Sequence, residues 1–175
     1  MQNAALMRAL LCIMLLRATA GADDAPHAEI TGSVGAHWMT VKSLDTDPAG
    51  KGPFVDLEGA WRFKEWFSTA LFTSYSAMRD TVWDMGTFET VFQIVELGVR
   101  LQAHGHGFHV GLGVGVSANL APDYLHVETM SEVHAGYTFP PISGVRLRLF
   151  ASIATGKDEW SLHKSSRLAL GVQFR

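Results

Sequence analysis

The amino-acid sequence predicts an all-β protein, an eight-stranded antiparallel up-and-down transmembrane β-barrel. Three observations lead to this fold class. From about residue 28 onward, apolar and polar residues alternate with a period of two, which is the pattern of β-strands. Eight segments show this alternation, and none forms a convincing amphipathic helix. Several of these segments reach the 9–11 or so residues that a tilted strand needs to cross a bilayer.

The first residues resemble a secretory signal peptide. Arg8 gives a basic start, residues 9–16 (ALLCIMLL) form a short apolar run, and residues 18–20 (ATA) form a small-x-small cleavage site. We therefore predict a signal peptide over residues 1–20, cleaved near residues 20–22, and a barrel over residues 28–175. The single cysteine, Cys12, lies within the signal, so the exported protein would contain neither a disulfide nor a reactive thiol.

Composition restricts the class of protein further. The chain has 175 residues, enough for one domain, and a net charge of −3. This balance favours neither nucleic-acid binding nor disorder. Charged residues make up 18% of the chain, below the roughly 25% of ordinary soluble domains. No segment after the signal approaches 18 consecutive apolar residues, so no transmembrane helix is expected.

The first four predicted strands lie near residues 30–38, 55–64, 67–75 and 91–101. In the first, large apolar residues alternate with small ones, and in the second they alternate with charged or small residues. In the fourth, the residues opposite the apolar face are Phe92, Ile94, Glu96, Gly98 and Arg100. The third is less regular, because Phe72 interrupts its small polar face. Together they predict four strands that each carry one apolar face.

The last four predicted strands lie near residues 108–117, 125–139, 145–153 and 167–174. The fifth is the clearest, since Phe108, Val110 and Leu112 share one face, while His109, Gly111, Gly113, Gly115 and Ser117 share the other. A helix here would lose about 1 kcal/mol for each glycine. The remaining three segments repeat the pattern, with arginines, glutamates and histidines opposite the apolar residues.

The connections between these segments alternate in length. Tight turns are expected near residues 64–66, 104–107 and 140–144, and longer polar links near residues 43–53, 78–87, 118–123 and 156–165. In outer-membrane barrels the short turns face the periplasm and the long loops face outward.

The charged residues of the strands fall on one face, opposite the apolar one. An eight-stranded membrane barrel has an interior that side chains just fill, and charges there must pair. The mixture of acids and bases therefore predicts a lumenal charge network made of Glu58, Arg62, Glu96, Arg100, His109, Glu128, Glu132, His134, Arg146 and Arg148. A regular hairpin over residues 118–123 would place His109 opposite Glu132.

With these features the sequence resembles the small eight-stranded outer-membrane β-barrels of the OmpA/OmpX type. The resemblance rests on the signal peptide, the strand count, the glycine-alternating strand at residues 110–117 (VGLGVGVS), and the terminal strand at residues 167–175 (RLALGVQFR). It implies a monomer in the bacterial outer membrane, in contact with membrane lipids and lipopolysaccharide. It also implies that the barrel-insertion machinery reads the C-terminal strand ending at Phe174, although this chain departs from the family in ending on Arg175.

Two apparent sites are weak. His104, His106 and His109 lie close together, but no carboxylate or cysteine stands beside them in the sequence, so no metal site is predicted. Gly111, Gly113 and Gly115 lack the spacing of a dinucleotide fingerprint and lie inside a strand. We interpret them as space for long side chains of neighbouring strands, and we predict no cofactor.

One short sequence motif leaves open whether the protein is an enzyme. His163 and Ser165 match the start of the His-x-Ser-Asn element that the sequence shares in part with outer-membrane lipid A deacylases, although Ser166 replaces the asparagine and no acid follows. We predict a non-catalytic protein with a plugged, charged lumen that serves envelope structure or surface interaction, or forms a narrow pore. The alternatives are a lipid A-modifying hydrolase and a soluble exported ligand-binding barrel. No nucleic-acid partner is expected.

Overall fold

Eight antiparallel strands form one closed barrel, in which each strand pairs with its neighbours along the chain and the last pairs with the first. The computed structural model describes residues 26–42, 49–80, 91–121, 124–142, 144–157 and 162–174. The predicted fold class is confirmed. The strands are β1 (His27–Lys42), β2 (Ala49–Lys64), β3 (Phe67–Asp80), β4 (Val91–Gly105), β5 (Phe108–Ala121), β6 (Tyr124–Thr138), β7 (Arg146–Lys157) and β8 (Leu162–Phe174).

The strands extend further than the alternation in the sequence suggests. They contain 12 to 16 residues each, whereas crossing a bilayer needs about 9–11. A ladder continues wherever a partner strand is present, because it satisfies the backbone hydrogen bonds of both. Residues 122 and 123 alone separate β5 from β6, so the expectation of a longer link over residues 118–123 is wrong.

The barrel has two different ends. At the turn end, residues 65–66 join β2 to β3, residues 106–107 join β4 to β5, and residues 139–145 join β6 to β7. His106 and Gly107 both have positive φ, 52° and 84°, as a two-residue type I′ hairpin requires. At the opposite, loop end, residues 43–48 separate β1 from β2 in the chain, and residues 81–90 separate β3 from β4. The described residues contain no helix that is long and apolar enough to cross a membrane.

The two faces of the barrel wall have opposite chemistry. Outward-facing residues form a broad apolar surface that includes Ile30, Leu57, Leu71, Leu97, Val114, Val127, Ile153 and Leu170, all exposed. Among the strand residues whose side chains the structure describes, the charged ones on this outer face are Lys51, Arg79 and Lys164 at the loop end, and Lys64 at the turn end, where a bulge in β2 pairs it with Phe67. Inward-facing residues are buried and largely polar. A water-facing protein would invert this arrangement, so the wall is suited to lipid.

Candidate functional site

The middle of the lumen is organised around Arg100 of β4, whose side chain is 0% exposed. Its guanidinium donates to both carboxylate oxygens of Asp56 at 3.1 Å. It also donates to Glu58 Oε2 at 2.9 Å and, from Nε, to Glu132 Oε1 at 2.8 Å. One arginine therefore connects β4 to β2 and to β6 across the barrel. We name Arg100, Asp56, Glu58 and Glu132 the central cluster.

Aromatic rings cover the central cluster. The guanidinium carbon of Arg100 lies 3.9 Å from the ring centroid of Phe72 and 4.9 Å from that of Phe150. Both rings are buried, and each lies within cation–π distance of Arg100. Phe72 also packs with Met130 and Ala154 in a small apolar cluster. The rings thus exclude water from the charged groups that they cover.

Two further arginines share the carboxylates of the central cluster. Arg148 donates to Glu58 Oε1 at 2.5 Å and, from Nε, to His109 Nε2 at 3.0 Å. Arg167 donates to Glu132 Oε2 at 3.0 Å and also pairs with Glu96. Glu58 and Glu132 therefore each bridge two arginines. Such sharing offsets the cost of burying charges, because every carboxylate retains several hydrogen bonds.

A second polar layer lies nearer the turn end, around Glu29. Its carboxylate accepts from Arg62 at 3.0 Å and from Gln173 at 2.7 Å. Arg62 also lies 3.3 Å from Nδ1 of His104, whose Nε2 lies 2.7 Å from Ser68 Oγ. With Nδ1 accepting from Arg62, Nε2 carries the proton and donates to Ser68. This layer joins β1, β2, β3, β4 and β8 at the mouth of the barrel.

The structure brings together most of the residues predicted for the lumen. Glu58, Arg100, His109, Glu132 and Arg148 meet in and around the central cluster, and His134 Nδ1 lies 3.2 Å from Glu132 Oε1. Glu96 joins through Arg167, and Arg62 belongs to the layer around Glu29. Two residues stand apart. Glu128 lies toward the loop end beside Gly156, and Arg146 lies at the mouth of the turn end.

Sequence reasoning left four important residues out of the predicted network: Glu29, Asp56, Gln102 and Arg167. Asp56 and Arg167 carry the same signal as the residues that were included, since they alternate on the polar face of β2 and β8. Glu29 precedes the first clear apolar position. Gln102 donates to Glu58 at 2.9 Å, but an uncharged side chain gives no signal of an ion-pair network.

The expected pairing of His109 with Glu132 is wrong. In the register of β5 and β6, Gly113 lies opposite Glu132, and Gly136 lies opposite His109. The register pairs Ala121 with Tyr124, so the centre of the hairpin lies two residues further along the chain than a link over residues 118–123 implies. Because the positions of two paired residues sum to a constant in a hairpin, this shift moves the partner of His109 by four residues.

The glycines of β5 lie beneath bulky side chains of the lumen. A Cβ atom at Gly111 would come within 2.6 Å of the His134 ring, and one at Gly113 within 3.3 Å of Glu132 Cβ and 3.4 Å of Arg100 Cγ. Gly136 leaves room in the same way for the His109 ring. The alternation of glycines thus provides space for the histidines and for Arg100.

The rings of His104, His109 and His134 form a row, and an arginine lies beside each of the first two. Ring centroids lie 6.1 Å apart for His104 and His109, and 6.2 Å apart for His109 and His134. Arg62 and Arg148 direct hydrogen bonds at His104 and His109, and two guanidinium charges disfavour a third cation nearby. Within the described ranges, no group of three or more histidine or acidic side chains is arranged to hold a metal ion.

The two weak catalytic candidates lie in β8. Ser165 pairs with Met39 of β1 and Ala154 of β7, and it lines an interior cavity of only about 20 Å³. A cavity of that size holds about one water molecule, too small for an acyl chain. The side chain of His163 lies outside the described residues, and the described residues that line this cavity with Ser165 include His37, Glu96 and Glu128.

Known proteins resemble the chain in structure only. No protein-family model and no curated protein matches the sequence. The fold is similar to that of Neisserial surface protein A, with a TM-score of 0.57 and 13% identity over 86% of this chain and 99% of that one. It is also similar to the Yersinia pestis outer membrane protein Ail in a phospholipid bilayer nanodisc, with a TM-score of 0.52 and 16% identity over 85% and 100% of the two chains. The chain therefore has the fold of the small eight-stranded outer-membrane β-barrels.

Proposed function

We propose that this protein is a non-catalytic barrel of the bacterial outer membrane, with a closed lumen, that serves envelope structure or contact at the cell surface. The observation that carries the proposal is the central cluster. Arg100, Phe72 and Phe150 meet with carboxylates of β2 and β6 in the middle of the lumen. The interior is filled at that level by paired charges and rings, which favours a structural plug over a narrow pore.

Because paired charges and aromatic rings fill the middle of the lumen, we predict that the barrel does not conduct ions. In planar lipid bilayers we expect the wild-type protein to give no steady current, because Arg100, its carboxylate partners and the rings of Phe72 and Phe150 occupy the middle of the lumen. Arg79→Ala, a change on the outer face, serves as a control that should be equally silent. A reproducible single-channel conductance from folded wild-type protein would contradict the closed lumen and favour the narrow pore.

The outer face at the loop end fits the anionic lipid of an outer leaflet. Lys51 of β2 lies directly opposite Arg79 of β3, and both side chains are exposed. On its other side, Lys51 lies opposite Trp38 of β1. Cationic side chains on the outer face of a membrane barrel, near the headgroup level, match lipid phosphates in charge and can donate charge-assisted hydrogen bonds to them. We therefore propose that lipopolysaccharide phosphates contact this pair, as a partner of the loop end.

This contact and the absence of catalysis can be tested in one sample. In bilayers containing lipid A, we expect Lys51→Gln/Arg79→Gln to reduce the lipid A retained by the purified barrel about tenfold, since two charge-assisted contacts are lost. Lys64→Gln at the turn end is the matched control. Mass spectrometry of the same lipid A should show its acylation unchanged. Loss of an acyl chain that depends on Ser165 would contradict the non-catalytic proposal.

The C-terminal strand supports the remaining part of the proposal. β8 closes the barrel against β1, and Phe174, which pairs with Ile30, has an exposed ring. An exposed aromatic residue at the end of the closing strand is suited to recognition by the barrel-insertion machinery before closure. A single chain completes the barrel, so the proposed state is a monomer.

A further inference from the structure

A cavity of about 380 Å³ opens at the turn end of the lumen. Its walls come from the three short connections and from the adjoining ends of β2, β4, β5, β6 and β7. We propose that this cavity, the turn-end cup, binds the phosphate group of a phospholipid from the leaflet at that end. The polar side chains that line it are Arg62, Glu65, His104, His106, Thr138 and Arg146. The proposal does not depend on whether the lumen conducts ions.

The lining of the turn-end cup contains two arginines, Arg62 and Arg146, and one carboxylate, that of Glu65. Arg62 is held in place by Glu29 at 3.0 Å and by the carbonyl of Glu65 at 3.2 Å. Arg146 is half-buried and makes no ion pair within the part of the chain that the structure describes. Arg148 lies deeper in the lumen and is only 4% exposed. Among the described residues, its Nη2 atom has no hydrogen-bond partner. Guanidinium groups match phosphate oxygens in geometry and charge.

The rim of the turn-end cup indicates where the anion comes from. Phe108, Tyr137 and Phe139 form a row, with ring centroids 4.8 Å and 5.0 Å apart, and Phe108 and Phe139 are exposed. Aromatic girdles of membrane barrels lie at the level of the lipid headgroups. At that depth the abundant anion is the phospholipid phosphate. The cavity volume falls within the range of small-molecule pockets and is far larger than a single ion needs.

Calorimetric titration of the refolded barrel in a neutral detergent tests the proposal. The probes are dihexanoyl phosphatidylglycerol, inorganic phosphate and dihexanoylglycerol, which lacks phosphate. We expect Arg146→Gln to weaken binding of the phosphate-containing probes about tenfold, because one charge-assisted contact is lost. Lys64→Gln removes an exposed charge at the same end but outside the cup, and it should change binding less than twofold. A heat-modifiability gel confirms that both variants are folded.

The relative affinities for the three probes distinguish a lipid ligand from free phosphate. Tighter binding of phosphatidylglycerol than of inorganic phosphate supports a lipid as the source, and inorganic phosphate binding alone supports the same site with free phosphate as its ligand. The proposal is overturned if neither phosphate probe binds, if dihexanoylglycerol binds as well as phosphatidylglycerol, or if the two variants lose affinity equally.

Discussion

Arg100→Met is expected to lower the free energy of unfolding by about 3–5 kcal/mol, the usual cost of removing one partner from a buried ion pair. The side chain of Arg100 is fully buried and donates to Asp56, Glu58 and Glu132. Methionine fills part of the volume but leaves these carboxylates with fewer donors. Arg148 and Arg167 still hold Glu58 and Glu132, so Asp56 loses the most. Reversible urea unfolding from phospholipid bilayers, followed by tryptophan fluorescence, measures the change.

Two comparisons identify the cause of that loss. Arg79→Met removes an arginine from the outer face and should change stability by less than about 1 kcal/mol. Adding Asp56→Asn to Arg100→Met should restore part of the loss, because the uncompensated charge is then removed. A loss below 1 kcal/mol in Arg100→Met, or no recovery in the double variant, would show that the central cluster contributes little to stability.

The sequence predicts the barrel well because the environment imposes a simple rule. In a membrane barrel, lipid outside and a filled lumen inside require apolar and polar residues to alternate along every strand. Leu112, Val114 and Val116 face outward and are exposed, while His109, Gly113 and Ser117 face inward and are buried. Since each strand obeys the rule separately, the faces of all eight could be assigned without knowing their neighbours.

The partners within the lumen could not be predicted in the same way. Arg148 and Glu58 are 90 residues apart in the chain, and Gln173 and Glu29 are 144 apart. Such contacts depend on the diameter of the barrel and on the stagger of every strand pair, which accumulate around the ring until it closes. A turn displaced by two residues was enough to exchange Gly136 for Glu132 as the partner of His109. Alternation alone carries no information about that stagger.

Val114→Arg is expected to lower the free energy of unfolding from a bilayer by about 2–4 kcal/mol, the cost of a cationic side chain on the lipid face near the midplane. Val114 lies in the middle of β5, between Val99 and Ser131, and its side chain is 63% exposed on the outer face. It touches none of the lumenal charges, so the arginine would gain no ion pair. Urea unfolding from bilayers gives the change in stability.

Leu120→Arg provides the matched control for the effect of depth. Leu120 lies on the same face of the same strand but near the loop end, where an arginine should cost only about 0–1 kcal/mol. In a soluble barrel both positions would face water, and an arginine at either would change stability by no more than about 0.5 kcal/mol. The difference between the two variants therefore depends on the bilayer rather than on the strand. Equal, small effects at both positions would contradict the membrane barrel and favour a soluble exported one.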